Sequence, residues 1–135
     1  MESRMFLLER GRAELAYQFV ESACRNLKPQ EKKEYKSHVK KTANMIHTNG
    51  LGLTIAFLFS KVKKPSYGLI YKQIDEYLCS NNTSRIKKKE NTELMHWVTK
   101  LGSREYRLVE LETLSLFKWL KRFVDGMIEG EAEDV

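Results

Sequence analysis

The sequence predicts an all-α protein, a compact bundle of five or six helices within a single domain of residues 1–128. Apolar side chains recur at steps of three and four residues along most of the chain, which is the period of a helix. The 135 residues include only two prolines and seven glycines, fewer turn-forming residues than a loop-rich β protein uses. A hydrophobic fraction of 41% is enough for a core of its own.

Three helices are predicted in the first half of the chain. Apolar residues mark one face of the first helix, which Pro29 ends: Ala13, Ala16, Tyr17, Val20, Ala23, Cys24 and Leu27. The second helix runs over about 30–47, and Gly50 ends it in a left-handed conformation. Its apolar face consists of Tyr35, Val39, Ala43 and Ile46. Residues 51–61 are apolar nearly all round, so a short third helix is predicted to be buried on most sides.

A fourth helix is predicted to begin at Pro65, because proline is favoured in the first turn of a helix. Its apolar face consists of Ile70, Tyr71, Ile74, Tyr77 and Leu78. Residues 80–91 (SNNTSRIKKKEN) are polar and basic, which predicts a mobile loop after this helix.

Two further helices complete the predicted bundle. The fifth carries four apolar residues before it ends at Gly102: Leu94, Trp97, Val98 and Leu101. The sixth begins between Ser103 and Leu108 and ends near Ile128. Its apolar face consists of Leu116, Trp119, Leu120, Phe123, Val124 and Met127. Residues 129–135 (EGEAEDV) are acidic and are predicted to form a disordered tail.

Composition narrows the class of protein. Cys24 and Cys79 cannot form a disulfide framework, and they lack the spacing of metal ligands. The longest apolar stretch, residues 51–60, is only half as long as the roughly 20 residues that span a bilayer. No basic-then-apolar leader opens the chain. These features predict a soluble cytoplasmic protein that contacts no membrane and needs neither a metal nor another cofactor.

Positive charge is concentrated in the middle of the sequence. The chain carries 24 Lys and Arg against 18 Asp and Glu, but residues 28–89 hold fourteen of the basic residues and only four of the acidic ones. Such an excess creates a positive potential that attracts polyanions, and nucleic acid is the first candidate. A solvated Lys/Glu surface is the alternative, and it fits the two flanking segments better than the middle.

The second helix carries a row of lysines beside its apolar face. At about 100° per residue, Lys32, Lys36 and Lys40 fall within about 80° of one another, with Lys33 next to them. Like charges four residues apart destabilise a helix by about 0.2–0.5 kcal/mol per pair, so the row favours an anion along it. The sequence therefore predicts a surface row that contacts phosphates, although nearby glutamates offset part of its charge.

Three further basic clusters occur, and together with the row they suggest a groove that follows a phosphate backbone. They are Lys61, Lys63 and Lys64 after the third helix, Arg85 and Lys87–Lys89 in the loop, and Lys118, Lys121 and Arg122 on the sixth helix. Most aromatic residues here have core spacing, and Tyr67 is the best candidate for stacking on a base. No zinc finger, recognition helix or RNP-type strand pair is visible, so sequence-specific reading of bases is not predicted.

No catalytic centre is predicted. The three histidines, His38, His47 and His96, show neither an HExxH motif nor a close partner. A glycine-rich phosphate loop and a nucleophile elbow are also missing from the sequence. The sequence therefore predicts no enzyme activity, no catalytic residue and no small-molecule substrate, and a helical nuclease is the least favoured hypothesis.

Three segments of the chain together resemble one known family. They are residues 13–17, the run Lys40-Lys41 … Met45-Ile46 … Asn49-Gly50-Leu51 … Ala56-Phe57-Leu58 … Ser60-Lys61, and Trp119-Leu120-Lys121-Arg122-Phe123. In order and spacing, these segments resemble the small helical subunit of the Cmr-type (type III-B) CRISPR RNA-guided effector, the fifth member of the Cmr series.

The resemblance implies a non-catalytic all-α subunit of an antiviral ribonucleoprotein, present in several copies. Such subunits stack along the repeated backbone subunit and line the channel that holds guide RNA and target RNA. The basic residues at matching positions are Lys40, Lys41, Lys61, Lys121 and Arg122. Trp119 and Phe123 match core positions.

The residue pattern and the resemblance lead to the same hypothesis, a basic helical subunit that contacts RNA. Its predicted RNA-binding residues are Lys32, Lys36, Lys40, Lys41, Lys61, Lys63, Lys64, Lys121 and Arg122. Its predicted partners are other Cmr-type subunits, further copies of the same chain, guide RNA and target RNA. The alternative is a free-standing helical adaptor whose basic face binds an acidic protein.

Overall fold

Six α-helices make up the fold of residues 2–130, the part of the chain that the computed structural model describes. They are α1 (Arg4–Asn26), α2 (Pro29–Asn49), α3 (Leu51–Ser60), α4 (Pro65–Cys79), α5 (Leu94–Thr99) and α6 (Ser103–Met127). Within those residues there is no β-strand, so the predicted all-α class is confirmed. None of the helices described is both long enough and apolar enough to cross a membrane.

The position of α2 sets the geometry of the candidate site. The two longest helices, α1 and α6, pack along each other, while α2 packs against α6 on one flank and against α3 and α4 on the other. The inner side of α2 buries its predicted apolar face, Tyr35, Val39, Ala43 and Ile46. Its outer side carries the exposed residues Lys33, Lys41 and Asn44. The outer side of α2 is therefore a surface with helices on both flanks.

Gly50 joins α2 to α3 in a conformation that other residues rarely adopt. Its φ of 86° is positive, as predicted, but its ψ of 166° lies outside the left-handed helical region. Non-glycine residues are almost excluded from this combination. The first amides of α3 find partners on α6: Leu51 N donates to Glu110 Oε2 at 3.0 Å, and Gly52 N donates to Tyr106 Oη at 2.7 Å. These bonds satisfy donors that a helix start leaves unpaired.

Two predictions about the core are wrong in part. The third helix is not buried on most sides, because Leu53 is 68% and Phe59 46% exposed. This helix packs on α2, α4 and α5, and its first turn contacts α6, but the side that carries Leu53 and Phe59 is left open. Trp119 and Phe123 are only partly buried at the edge of the core, where their rings stack at 5.9 Å. The aromatic residue of α6 that is fully buried is Phe117, at 1% exposure.

The segment between α4 and α5 has no helix, and two interior contacts hold it. Ser84 N donates to Glu112 Oε2 at 2.7 Å. Lys88 is buried and its Nζ lies 2.8 Å from Asp75 Oδ1, so the expectation that Lys88 belongs to a surface cluster is wrong. The mobility of this loop stays a prediction. The predicted disorder of the acidic tail concerns mainly residues 131–135, which lie outside the described residues.

Candidate nucleic-acid interface

The predicted RNA-binding residues lie on and around the outer side of α2. On the flank towards α3 and α4, the lysine–aromatic cluster consists of His38, Lys41, Phe57, Lys61 and Tyr67. On the flank towards α6, the α2–α6 groove contains Lys121 and Arg122. The structure thus brings together basic residues that are separated by up to about 90 positions in the sequence.

In the lysine–aromatic cluster, two lysines from separate parts of the chain share one ring. Lys41 Nζ on α2 lies 5.2 Å from the centroid of Phe57, and Lys61 Nζ, just after α3, lies 5.9 Å from it. A cation within about 6 Å of a ring face is attracted by the quadrupole of the ring. Lys41, Lys61 and the exposed Lys63 have no carboxylate at ion-pair distance within residues 2–130. Their charges are therefore available to an external anion.

Tyr67 is part of this cluster, but it does not present an open ring. It lies in the first turn of α4, and it is 5% exposed. One face of its ring stacks on His38, with centroids 3.9 Å apart, and the edge of Phe57 contacts it at 5.2 Å. The prediction that Tyr67 stacks on a base is therefore wrong, because His38 already occupies the position that a base would take.

His38 is held neutral by its surroundings. Its Nδ1 lies 2.6 Å from Ser66 Oγ. Burial lowers the pKa of His38 to about 4, the positive charges of Lys41 and Lys64 act in the same direction, and Glu34 opposes them. At neutral pH, His38 therefore contributes a flat ring to the cluster and no charge.

This lowered pKa predicts a loss of stability in acid. Between pH 6.5 and about 4, the unfolded chain binds a proton on His38 that the native chain does not, so stability falls as the pH falls. His38→Phe keeps a ring against Tyr67 and removes the titration. We expect the variant to reduce the loss of unfolding free energy between pH 7 and 4 by about 1–3 kcal/mol, a range that allows for the partial exposure of His38. Urea midpoints measured from pH 7 to 4 test this.

His47, one of two exposed histidines, provides the matched control, because His47→Phe makes the same substitution at a ring without a neighbouring aromatic stack. We expect it to leave the acid slope as it is in the unmodified chain. A His38→Phe profile as steep as the original would show that other groups cause the acid sensitivity.

Lys36 is the clearest correction to the predicted site. It is 8% exposed, and its Nζ donates to Ile128 O at 2.9 Å and to Gly130 O at 2.8 Å. The predicted surface row of Lys32, Lys36 and Lys40 is therefore interrupted. The side chain of Lys36 points towards the end of α6. Backbone carbonyl oxygens just after that helix accept hydrogen bonds from its ammonium group. Because Lys36 is buried and bonded to two carbonyl oxygens, Lys36→Ala is expected to lower the free energy of unfolding.

Two other predicted site residues, Lys40 and Lys64, form ion pairs within the protein. Lys40 forms an ion pair with Asp125 on α6, at 2.5 Å, and Lys64 forms one with Glu34, at 3.5 Å. Lys32 lies with Lys33 and Glu129 in a small groove between α2 and the end of α6. Exposed ion pairs are worth little, so an incoming phosphate can compete for these lysines at small cost.

The α2–α6 groove combines an apolar floor with a charged rim and has a volume of about 560 Å³. Its lining consists of Ala43, His47, Leu114, Phe117, Lys118, Lys121, Arg122 and Asp125. Lys118 and His47 were not among the predicted site residues. The spacing of Lys118 and Arg122, one turn apart, was the available signal for the first. No comparable signal marks His47, because its place depends on how α2 packs on α6.

The side chains that the structure brings together at this site are mainly cationic. Within residues 2–130, no group of three His, Cys, Asp or Glu side chains is placed to hold a metal ion. Burial raises the pKa of the Cys79 thiol, which disfavours the reactive thiolate. The groups that remain are exposed or weakly paired cations on a helical scaffold.

The six helices and the cationic surface together define a small all-α protein with basic side chains on the outer side of α2 and on both of its flanks. The chain belongs to the family of CRISPR-associated proteins Cas_Cmr5, whose family model matches residues 8–127. That match extends from the second turn of α1 to the end of α6. The predicted membership is thereby confirmed, and the protein is a CRISPR-associated Cmr subunit, of the small-subunit family of type III-B complexes.

Proposed function

We propose that this chain is a non-catalytic small subunit that stacks along the backbone subunits of a type III-B effector and contacts guide and target RNA. The contact surface is the outer side of α2 with its two flanks. Lys41, Lys61 and Lys63 carry the proposal, because Lys41 on α2 and Lys61 after α3 meet at the ring of Phe57, Lys63 follows two residues later, and no described carboxylate lies at ion-pair distance from any of the three. Further copies of the chain and the other Cmr-type subunits are its protein partners.

RNA is favoured over an acidic protein by the kind of surface present. Lysines act as point charges towards phosphates, which suits a backbone of varied sequence. Contact with the ring of Phe57 limits the freedom of the Lys41 and Lys61 side chains, so less side-chain entropy is lost when a phosphate binds. Tyr67 is covered, so we expect binding that is independent of base sequence.

Removing Lys41, Lys61 and Lys63 should weaken RNA binding. Each phosphate contact on a single strand contributes about 0.7 to the slope of log K against log salt. The triple variant Lys41→Ala/Lys61→Ala/Lys63→Ala is therefore expected to flatten that slope by about 2 and to weaken unrelated RNA sequences equally. Fluorescence anisotropy at several salt concentrations measures both quantities.

The same chain offers a matched control variant. Lys100→Ala/Arg104→Ala/Arg107→Ala removes three exposed cations near the start of α6, where Tyr106 contacts the opposite end of α3. This control should keep the slope. Equal slopes in both triple variants would contradict the proposed surface. If RNA binding is absent and an acidic protein is lost instead, the adaptor hypothesis replaces the proposal.

Absence of catalysis is tested on the purified chain. We expect it to bind RNA only weakly, on the order of micromolar or worse, and to leave the RNA intact with and without divalent metal. Cleavage that disappears when a named histidine or carboxylate is replaced would falsify the non-catalytic role.

A further inference from the structure

The α2–α6 groove differs from the lysine–aromatic cluster because its floor is apolar. Ala43 and Phe117, at 3% and 1% exposure, are packed beneath the groove, and Leu114 beside them is only partly buried. A phosphate gains nothing from such a floor, since apolar surface is stabilised by contact with apolar groups. The groove therefore suits a ligand that has an apolar face as well as a negative charge.

The rim of the groove supplies the positive charge. Lys118, Lys121 and Arg122 are exposed on α6. The one carboxylate among the described lining residues belongs to Asp125, which forms an ion pair with Lys40. Long basic side chains cover apolar surface with their stems and keep their charges in water. A phosphate bound at the rim therefore leaves the floor to the chemical group next to it.

The size of the apolar floor favours a base over a peptide helix. Among the described lining residues, Leu114 alone is apolar without being buried. A helix that docks in a groove needs several apolar anchors, at steps of three and four residues. One partly exposed leucine offers a single contact, which matches one flat ring. The groove volume of about 560 Å³ is within the usual range for sites that bind small ligands.

The path of a single strand over α2 leads to the same groove. The lysine–aromatic cluster and the α2–α6 groove lie on opposite flanks of α2. A helix with its side chains is about 10–12 Å wide. A strand whose phosphates are held on both flanks crosses this short distance and can place a base over Leu114.

We propose that the α2–α6 groove binds one nucleotide of single-stranded RNA. The base lies against Leu114, and the neighbouring phosphates lie at Lys118, Lys121 and Arg122. This inference rests on the proposed function, because RNA is the ligand in both. It adds that the chain holds a base as well as the phosphate backbone.

An abasic strand tests whether a base contributes to binding. Single-stranded RNA and an abasic oligonucleotide of equal length carry the same number of phosphates. We expect the unmodified chain to bind the RNA about three- to tenfold more tightly, the gain from bringing a base into contact with an apolar side chain. Fluorescence anisotropy measures both affinities. Equal affinities would overturn the inference and leave the phosphate contacts of the proposed function intact.

Leu114→Gln tests whether the base lies in this groove, because it keeps the size and charge of the side chain and removes its apolar surface. We expect it to abolish most of the preference for RNA over the abasic strand, with an unchanged salt slope. Leu111→Gln makes the same substitution one turn earlier on α6, at an exposed leucine outside the groove, and is the control. Equal effects of the two variants would overturn the assignment to the groove.

Free nucleotides test the groove on the unmodified chain, without a strand and without a substitution. We expect adenosine monophosphate and uridine monophosphate to shift the amide resonances of Ala43, His47 and Leu114 in ¹⁵N-resolved NMR spectra. Inorganic phosphate, the control, should leave Leu114 unshifted. Identical shifts with phosphate alone would overturn the inference. If the chain binds neither strand, the proposed function fails, and this titration alone decides whether the groove is a nucleotide site.

Discussion

Phe117→Ala is expected to lower the free energy of unfolding by about 3–5 kcal/mol, because it removes a buried aromatic ring and leaves a cavity. Phe117 is 1% exposed, and it lies on α6 where this helix meets α2 and forms the floor of the α2–α6 groove. A small domain has only about 5–15 kcal/mol of stability in total. The variant should therefore show a large fall in Tm, measured by circular dichroism.

Substitutions at neighbouring positions of α6 distinguish the contribution of core packing from that of surface charge. Trp119→Ala should cost less than Phe117→Ala, since Trp119 is only partly buried. Lys121→Ala/Arg122→Ala replaces exposed residues and should change stability by less than about 0.5 kcal/mol, while it weakens assembly with RNA and partner subunits. A charge variant that melts as early as Phe117→Ala would mean that these cations are structural. Normal melting together with normal assembly would remove Lys121 and Arg122 from the site.

Periodic burial explains why the helices could be predicted. The inner face of α2 repeats every three or four residues and is buried as expected, and the observed ends, Pro29 and Asn49, differ by one or two residues from the prediction. Phe117 was missed because α6 packs on both α1 and α2, so its buried stripe is wider than one face. Amphipathic spacing alone does not give that width.

Only the excess of positive charge at the site could be predicted from the sequence, not its geometry. The excess of lysine over acidic residues in the middle of the chain was visible, but the meeting of Lys41 and Lys61 over Phe57 depends on the turn at Gly50, which folds α3 back on α2. The burial of Lys36 depends on carbonyl oxygens more than 90 residues away. Contacts at such separations leave no periodic signal in a single sequence.

A buried ion pair between the first and last helices provides the second large effect. Arg12 Nη2 lies 3.0 Å from Glu112 Oε1, and both residues are 7% exposed. Tyr77 Oη accepts from Arg12 Nε at 2.9 Å and donates to Glu112 Oε1 at 2.8 Å. Burial and the charge of Glu112 raise the pKa of Tyr77, which keeps its hydroxyl protonated as a donor. Glu112 also accepts from Ser84 N and so holds the loop after α4.

Breaking this pair on one side is expected to be worse than removing it altogether. Glu112→Leu leaves the Arg12 guanidinium buried without its main anion, and we expect a loss of about 3–5 kcal/mol. Arg12→Met leaves the Glu112 carboxylate buried without its cation, and it should lower the free energy of unfolding by a similar amount. The double variant Arg12→Met/Glu112→Leu leaves neither charge, so its loss should be smaller than that of either single variant.

Urea unfolding of the four proteins in this cycle measures the coupling between the two charges. The exposed pair Arg25–Glu21 on α1, at 3.3 Å, is the matched control, and Glu21→Ala should cost no more than about 0.5 kcal/mol. Amide exchange at Ser84 should also accelerate in Glu112→Leu, because the carboxylate that accepts its proton is gone. If the losses of the two single variants simply add in the double variant, the charges do not depend on each other. The anchoring of α1 to α6 would then rest on the packing of their apolar faces rather than on this ion pair.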